Sequence, residues 1–172
     1  MEIIAEIGQN HNGDMGLAIE LIDAAKEAGA DVAKFQLFEA KTLIPNDDPW
    51  FAYNCQTELS RDELHFLHNH CLSAGIEFMC SVFDTTRVQW LEEVGLARYK
   101  IASRSIKDDK LIVAVANTGK PYIASLGMWS ESHLPQLPGN LQGYLFCVSK
   151  YPTEMSDLNF SSVNFDDYLG FS

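Results

Sequence analysis

Apolar residues recur along the chain in seven short runs, each bounded by glycine, proline or polar residues. The runs are Ile3–Gly8, Asp31–Phe38, Glu77–Phe83, Ala97–Ser103, Pro121–Gly127, Gly143–Lys150 and a stub at Leu169–Ser172. Each reads as a β-strand. Between them the period changes. Leu17, Ile19, Leu21, Ile22 and Ala25 fall mostly on one face of a helix over Met15–Ala28 that stops at Gly29. A second helix is predicted from the capping box Ser60-Arg-Asp-Glu63 towards Gly75. Two more span Thr86–Val94, closing at Gly95, and Asp108–Asn117, closing near Gly119. Strand starts lie about twenty to thirty residues apart, except across one longer interval around residues 40–59.

Strands alternating with helices predict parallel strands with helices outside. The strands are apolar on both parities, as expected when both faces of a sheet are covered. A doubly wound sheet and a (β/α)8 barrel both fit. The first βα turn, Gly8-Gln-Asn-His-Asn-Gly13, lacks the G-x-G-x-x-G phosphate loop, which favours the TIM-type barrel. A full barrel takes about 250 residues. The 172-residue chain stops at its seventh strand, so the barrel is expected to be incomplete, with residues 1–172 forming one catalytic-barrel portion.

Composition narrows the function classes. Twelve Lys and Arg stand against 24 Asp and Glu, a formal net charge of -12. Such a field repels polyphosphate and anionic lipid, so neither nucleic acid nor a membrane surface is an expected partner. No apolar run approaches the roughly 20 residues that span a bilayer, and the start Met-Glu-Ile-Ile-Ala has no basic n-region. Cys55, Cys71, Cys80 and Cys147 lie far apart without a C-x-x-C pair, the pattern of reduced thiols in a cytoplasmic protein.

The candidate chemistry lies where polar residues interrupt the strands. Glu6, Lys34, Gln36 and Lys100 all do so. An unpaired charge inside a barrel costs several kcal/mol, so these groups are either paired structurally or used. Ser81, Ser103 and Ser125 lie at or near the ends of three different strands, where hydroxyls can donate to carboxylate or phosphate oxygens. Two lysines beside three serines point to an oxyanion-rich small molecule at the C-terminal mouth of the barrel. No nucleophile elbow supports hydrolase chemistry. His65, His68 and His70 sit on the second helix, expected to be a solvated polar face rather than a metal site. His11, in the first βα loop, is the histidine of greater interest.

The stretch Ile4-Ala-Glu-Ile-Gly-Gln-Asn-His-Asn-Gly-Asp14 resembles the N-terminal signature of the sialic acid synthase family, which includes N-acetylneuraminate, legionaminate and pseudaminate synthases and spore-coat polysaccharide proteins. Further similar motifs follow in order: Gly29-Ala-Asp-Val-Ala-Lys-Phe-Gln36, Tyr99-Lys-Ile-Ala-Ser103, Thr118-Gly-Lys-Pro121, Ser125-Leu-Gly-Met128 and Cys147-Val-Ser-Lys-Tyr-Pro-Thr153. The resemblance implies a (β/α)8 barrel that condenses phosphoenolpyruvate with an amino-sugar aldehyde such as N-acetylmannosamine. The products are a nine-carbon 2-keto acid and phosphate, so the enzyme is a C–C bond-forming transferase. It further implies that Lys34, Ser81, Lys100, Ser103 and Ser125 hold the carboxylate and phosphate. Gln36 and Tyr151 would lie near the sugar or the metal-side face, Ser149 would lie where sugar specificity is set, and Glu6 would be the acid/base residue. A divalent metal, Mn or Mg, would polarise the aldehyde.

Three departures from the family pattern stand out. Ser149 occupies a position often filled by Asn, and Arg104-Ser105 replaces a frequent Gly-Glu. The chain also ends at Gly170-Phe-Ser172, before the Asp-His-Thr motif that supplies a metal ligand in the family. The resemblance therefore implies metal ligands beyond Ser172, no antifreeze-like C-terminal domain within the chain, and little activity from these residues alone. Open edges of an incomplete barrel predict homo-oligomerisation. Two other readings are a Schiff-base aldolase using Lys100 or Lys34, and an inactive ligand-binding fragment.

Overall fold

The computed structural model describes all residues 1–172 and divides into two units, Met1–Ala97 and Arg98–Ser172. In the first, strands β1 (Ile4–Gly8), β2 (Val32–Leu37) and β3 (Glu77–Val82) lie parallel in sequence order. Helix α1 (Met15–Glu27) begins at Asp14, whose carboxylate accepts from the Gly16 and Leu17 amides. Helix α4 (Arg61–Ala74) starts at the predicted capping box and ends on Gly75 in the left-handed region. Both termini satisfy amides or carbonyls that a helix end would otherwise leave open. Ile22 of α1 and Leu64, Leu67 and Cys71 of α4 are buried, as are Phe35 and Leu37 of β2. Removing one of these leucines to Ala would cost about 2–5 kcal/mol.

The interval 40–59 holds two helices, α2 (Ala40–Leu43) and α3 (Phe51–Thr57). Neither has an apolar stripe long enough to show in the sequence. Helix α3 is instead fixed by polar bonds to the first βα loop. Gln9 Nε2 donates to Asn54 Oδ1 at 3.0 Å and to Thr57 Oγ1 at 2.6 Å, while Tyr53 Oη donates to the Gln9 carbonyl at 3.0 Å. Gln56 Nε2 donates to the Asn12 carbonyl at 2.8 Å. A second anchor is Arg87, buried on α5 (Thr85–Glu93). Its guanidinium lies 3.3 Å from Glu58, 3.4 Å from Asp84 and 3.5 Å from Glu39.

In the second unit β4 (Tyr99–Ile101), β5 (Tyr122–Ser125), β6 (Leu141–Phe146) and β7 (Gly170–Phe171) follow in order, with β5 parallel to β4 and β6, and β7 parallel to β6. Helix α6 (Asp109–Asn117) is capped by Asp108. The fourth strand is shorter than predicted because Ser103–Ser105 turns into a 3-10 helix. The sixth starts and ends earlier than predicted. Gly143, at φ +153°, accommodates the register shift against β5, and beyond Phe146 the chain leaves the ladder. No helix joins β6 to β7. Three 3-10 turns and a ring cluster of Phe146 with Phe160, Phe165, Tyr168 and Phe171 take its place, with centroids 5.8–6.3 Å from Phe146. The loop before β6 is tied down by Tyr122, whose Oη donates to the Pro138 carbonyl at 2.6 Å, and by Tyr144 bonded to the Pro135 carbonyl. Seven strands in sequence order, the first five separated by helices, place the chain in the expected α/β barrel class, one strand short of eight.

Candidate active site

Side chains two apart on a strand share a face, and register partners on neighbouring strands share it too. In the first unit Glu6 is opposite Lys34, and Gln36 is opposite Ser81. All four therefore lie on one face, while Phe35 and Cys80 point to the other. The side chains bear this out. Lys34, 7% exposed, forms an ion pair with Glu6 and donates to Ser81 Oγ at 3.4 Å. Gln36 Nε2 donates to Glu6 Oε1 at 3.4 Å.

Glu6 itself is not buried: its side chain is 46% exposed. The Glu6–Lys34 pair foreseen as the structural alternative is thus present, but its carboxylate stays accessible. Gly8 sets this geometry. It sits at φ +55°, just past the shift in register, and a Cβ there would meet Glu6 Oε1 at 3.0 Å and Gln36 Nε2 at 3.3 Å.

The second unit carries a different set. Lys100 is opposite Ile123, and Ser125 is opposite Leu145, so Lys100 and Ser125 share a face. Lys100 is 4% exposed, and no hydrogen bond or ion pair engages its ammonium. Burial pushes its pKa down to about 8, with Cys147 acting in the opposite sense. Ser125 Oγ is likewise buried without a partner. Ser103 Oγ accepts from the Gly127 amide at 3.1 Å. A side chain at Gly127 would collide with Ser149 Oγ and Cys147 Sγ, so residue 127 must be small for these groups to gather.

A buried ammonium without a counter-charge and an unpaired hydroxyl, here on one strand face, are groups whose chemistry suits bonding to an oxyanion. Of the predicted residues, Ser149 and Ser103 thus come together around Gly127. Tyr151 does not join them: its side chain is 96% exposed.

The histidines take other roles than those expected from a solvated face. His65, His68 and His70 are all half-buried. His68 packs edge-on against Phe78 at 5.6 Å, and burial lowers its pKa, helped by His65. His70 Nε2 pairs with Asp23 Oδ1 at 2.7 Å. His11 is 1% exposed, and its Nδ1 accepts from the Gly13 amide at 3.1 Å, which leaves the proton on Nε2. Its ring lies 6.2 Å from Phe35, so it packs on the face of β2 away from Lys34. Burial lowers its pKa, with Glu63 opposing. No three His, Cys, Asp or Glu side chains of this chain are gathered to hold a metal ion. A metal site built from residues 1–172 alone does not fit.

Sequence reasoning missed Gln9, Asn54, Thr57 and Arg87, which position the first βα loop and the flanking helices. Their only signal is a polar residue inside a short helix or a loop.

The chain is similar to proteins of known activity over almost all of its length. It is 34% identical to N,N'-diacetyllegionaminic acid synthase of Legionella pneumophila, covering 94% of this chain and 52% of that protein. It is 32% identical to human N-acetylneuraminate-9-phosphate synthase, over 94% and 50% respectively. The chain therefore spans about half the length of the curated relatives it matches. Among solved structures, N-acetylneuraminic acid (sialic acid) synthetase from Leptospira borgpetersenii, in complex with citrate, superposes with a TM-score of 0.85 at 30% identity, over 94% of this chain and 59% of that one. The profile of the NeuB family matches residues 21–167, which is most of the sequence, and on this evidence the chain belongs to the NeuB family.

Proposed function

We propose that this chain is part of a synthase that condenses phosphoenolpyruvate with an N-acylated amino-sugar aldehyde, such as N-acetylmannosamine, giving a nine-carbon 2-keto acid and phosphate. The observation that carries it is the unpartnered pair Lys100 and Ser125 on one buried face. In this reading the Lys100 ammonium binds an anionic group of phosphoenolpyruvate, and Ser125 Oγ donates a hydrogen bond to it. Ser103 holds the Gly127 turn that shapes the receptor. In the first unit Lys34 and Ser81 are the further anion-binding groups, and Gln36 steadies Glu6. The Glu6 carboxylate, accessible yet held by two donors, orients the water that attacks C2. Enol carbon C3 attacks the aldehyde, and the C–O bond to phosphate breaks as that phosphate is held by fixed cations. A divalent metal in the whole protein would supply Lewis-acid activation of the aldehyde. Residues of this chain would leave that task to others.

One observation favours a second reading. A lysine whose pKa is lowered to about 8 is also a competent nucleophilic amine for a Schiff-base aldolase. Borohydride treatment in the presence of pyruvate separates the two. The synthase reading expects no reductive adduct on Lys100, together with saturable phosphoenolpyruvate binding that Lys100→Met abolishes. In the protein that carries this sequence, with a divalent metal supplied, phosphate release should require both phosphoenolpyruvate and the amino sugar. A borohydride-trapped pyruvyl-lysine would overturn the synthase.

A further inference from the structure

Of the four cysteines, Cys71 and Cys80 are buried, and burial pushes the Cys71 thiol up to about 12 and that of Cys80 higher still. Cys55 is exposed on α3, and Cys147 is half-buried. Cys147 directly follows Phe146, the last residue of β6, and its effect on the Lys100 ammonium opposes that of burial. Its sulfur fills the space left by the missing side chain of Gly127. Gly127 lies two residues beyond Ser125, whose buried Oγ has no partner, and Ser125 shares a strand face with the buried Lys100.

We propose that Cys147 is a site of reversible thiolation by small anionic disulfides, and that the adduct closes the oxyanion receptor formed by Lys100 and Ser125. The proposal rests on the anion-binding reading given above. An anionic disulfide is drawn to Lys100 as a substrate oxyanion would be, which brings its S–S bond to the neighbouring sulfur. The Cys147 thiolate attacks one sulfur of the disulfide. A new S–S bond forms to Cys147 and the old one breaks. The second half leaves as a thiolate, and the proton lost from Cys147 goes to solvent. No other oxidant is needed, and an excess of reduced thiol reverses the reaction.

The test uses the full 172-residue chain carrying Cys55→Ser, so that Cys147 is the accessible thiol. The probes are the anionic disulfide 5,5'-dithiobis(2-nitrobenzoate) and the uncharged 2,2'-dithiodipyridine. Release of the coloured thiolate gives the rate, and peptide mass gives the site. The anionic probe should modify Cys147, and at least five-fold more slowly in the Lys100→Met background or with saturating inorganic phosphate. The uncharged probe should change less than two-fold. Phosphate binding, read from 31P line broadening, should weaken at least ten-fold after thiolation and return with dithiothreitol. That recovery separates a blocked site from an unfolded chain. A rate indifferent to both Lys100→Met and phosphate overturns the proposal, as does phosphate binding that survives thiolation. Either result would leave the substrate reading standing. Phosphate that fails to bind the untreated chain overturns that reading, and the proposal with it.

Discussion

Lys34 and Glu6 face one another across β2 and β1, and the ammonium of one is neutralised by the carboxylate of the other. Lys100 has no such counter-charge, so its substitution should separate stability from binding. A buried cation without a partner costs free energy that an isosteric apolar side chain does not. Lys100→Met is therefore expected to raise Tm by a few degrees, which corresponds to about 1 kcal/mol in a domain of this size. The same change should remove phosphoenolpyruvate binding. Scanning calorimetry and a binding titration on one sample check both. A variant that loses stability along with binding would make Lys100 a structural residue.

Anion binding should also depend on pH in a stated direction. Burial holds the Lys100 pKa near 8, below the value of about 10.4 expected when exposed. The ammonium is intact at pH 7 and is lost as pH rises through 8. Affinity for sulfate, whose own charge is constant over this range, should be flat from pH 6 to 7 and fall about ten-fold by pH 9. Stability moves the other way. Between pH 8 and 10 the unfolded chain holds more protons at this lysine than the folded chain, so this group makes stability rise with pH there. Below pH 8 both states are protonated and its contribution is constant. Titrations of Lys100→Met should show neither trend.

Gly8→Ala should strike the carboxylate without touching it chemically. The position has φ +55°, which an alanine adopts only at a cost, and its Cβ would crowd Glu6 Oε1 and Gln36 Nε2. A destabilisation of about 1–2 kcal/mol follows from the backbone alone. Chemical denaturation measures it. Turnover of the protein carrying this sequence should drop by more than that loss of stability explains, because Glu6 is displaced.

Arg87→Met removes the only cation placed between Glu39, Glu58 and Asp84. Three carboxylates would then face one another around an apolar side chain. Because these acids are partly exposed, water screens them, and the expected cost is about 2–3 kcal/mol rather than the larger figures for fully buried charges. Urea unfolding gives the number. Raising the salt concentration should recover part of the loss in the variant and have little effect on the parent chain.

The strands and the four longer helices were legible because each writes its period into the sequence: Leu17, Ile22 and Ala25 for α1, or Ser60 and Glu63 at the start of α4. Glu6, Lys34 and Lys100 were legible as charges inside apolar runs. Their pairing was not. Nothing in the sequence distinguishes Lys34, which finds Glu6, from Lys100, which finds no carboxylate, since that depends on strand register. Helices α2 and α3 were hidden for a related reason. They are held by side-chain bonds from Gln9 and by Arg87, and such contacts leave no periodic trace. Tyr151 carried a recognisable motif, yet its side chain is turned to solvent.

Phe146 gathers four rings around a segment that has only isolated 3-10 turns between β6 and β7. With so few backbone bonds of its own, that segment takes much of its shape from side-chain contacts, with Phe146 at the centre of the ring cluster. Its amides should exchange with deuterated solvent as a group, through an opening that leaves β4 and β5 closed. Phe146→Leu should accelerate exchange across residues 155–171 by an order of magnitude while the amides of Tyr99–Ile101 and Tyr122–Ser125 keep their rates. The second unit is then two layers of differing permanence: a slow-exchanging set of strands that holds Lys100, and a fast-exchanging cover packed on it around Phe146.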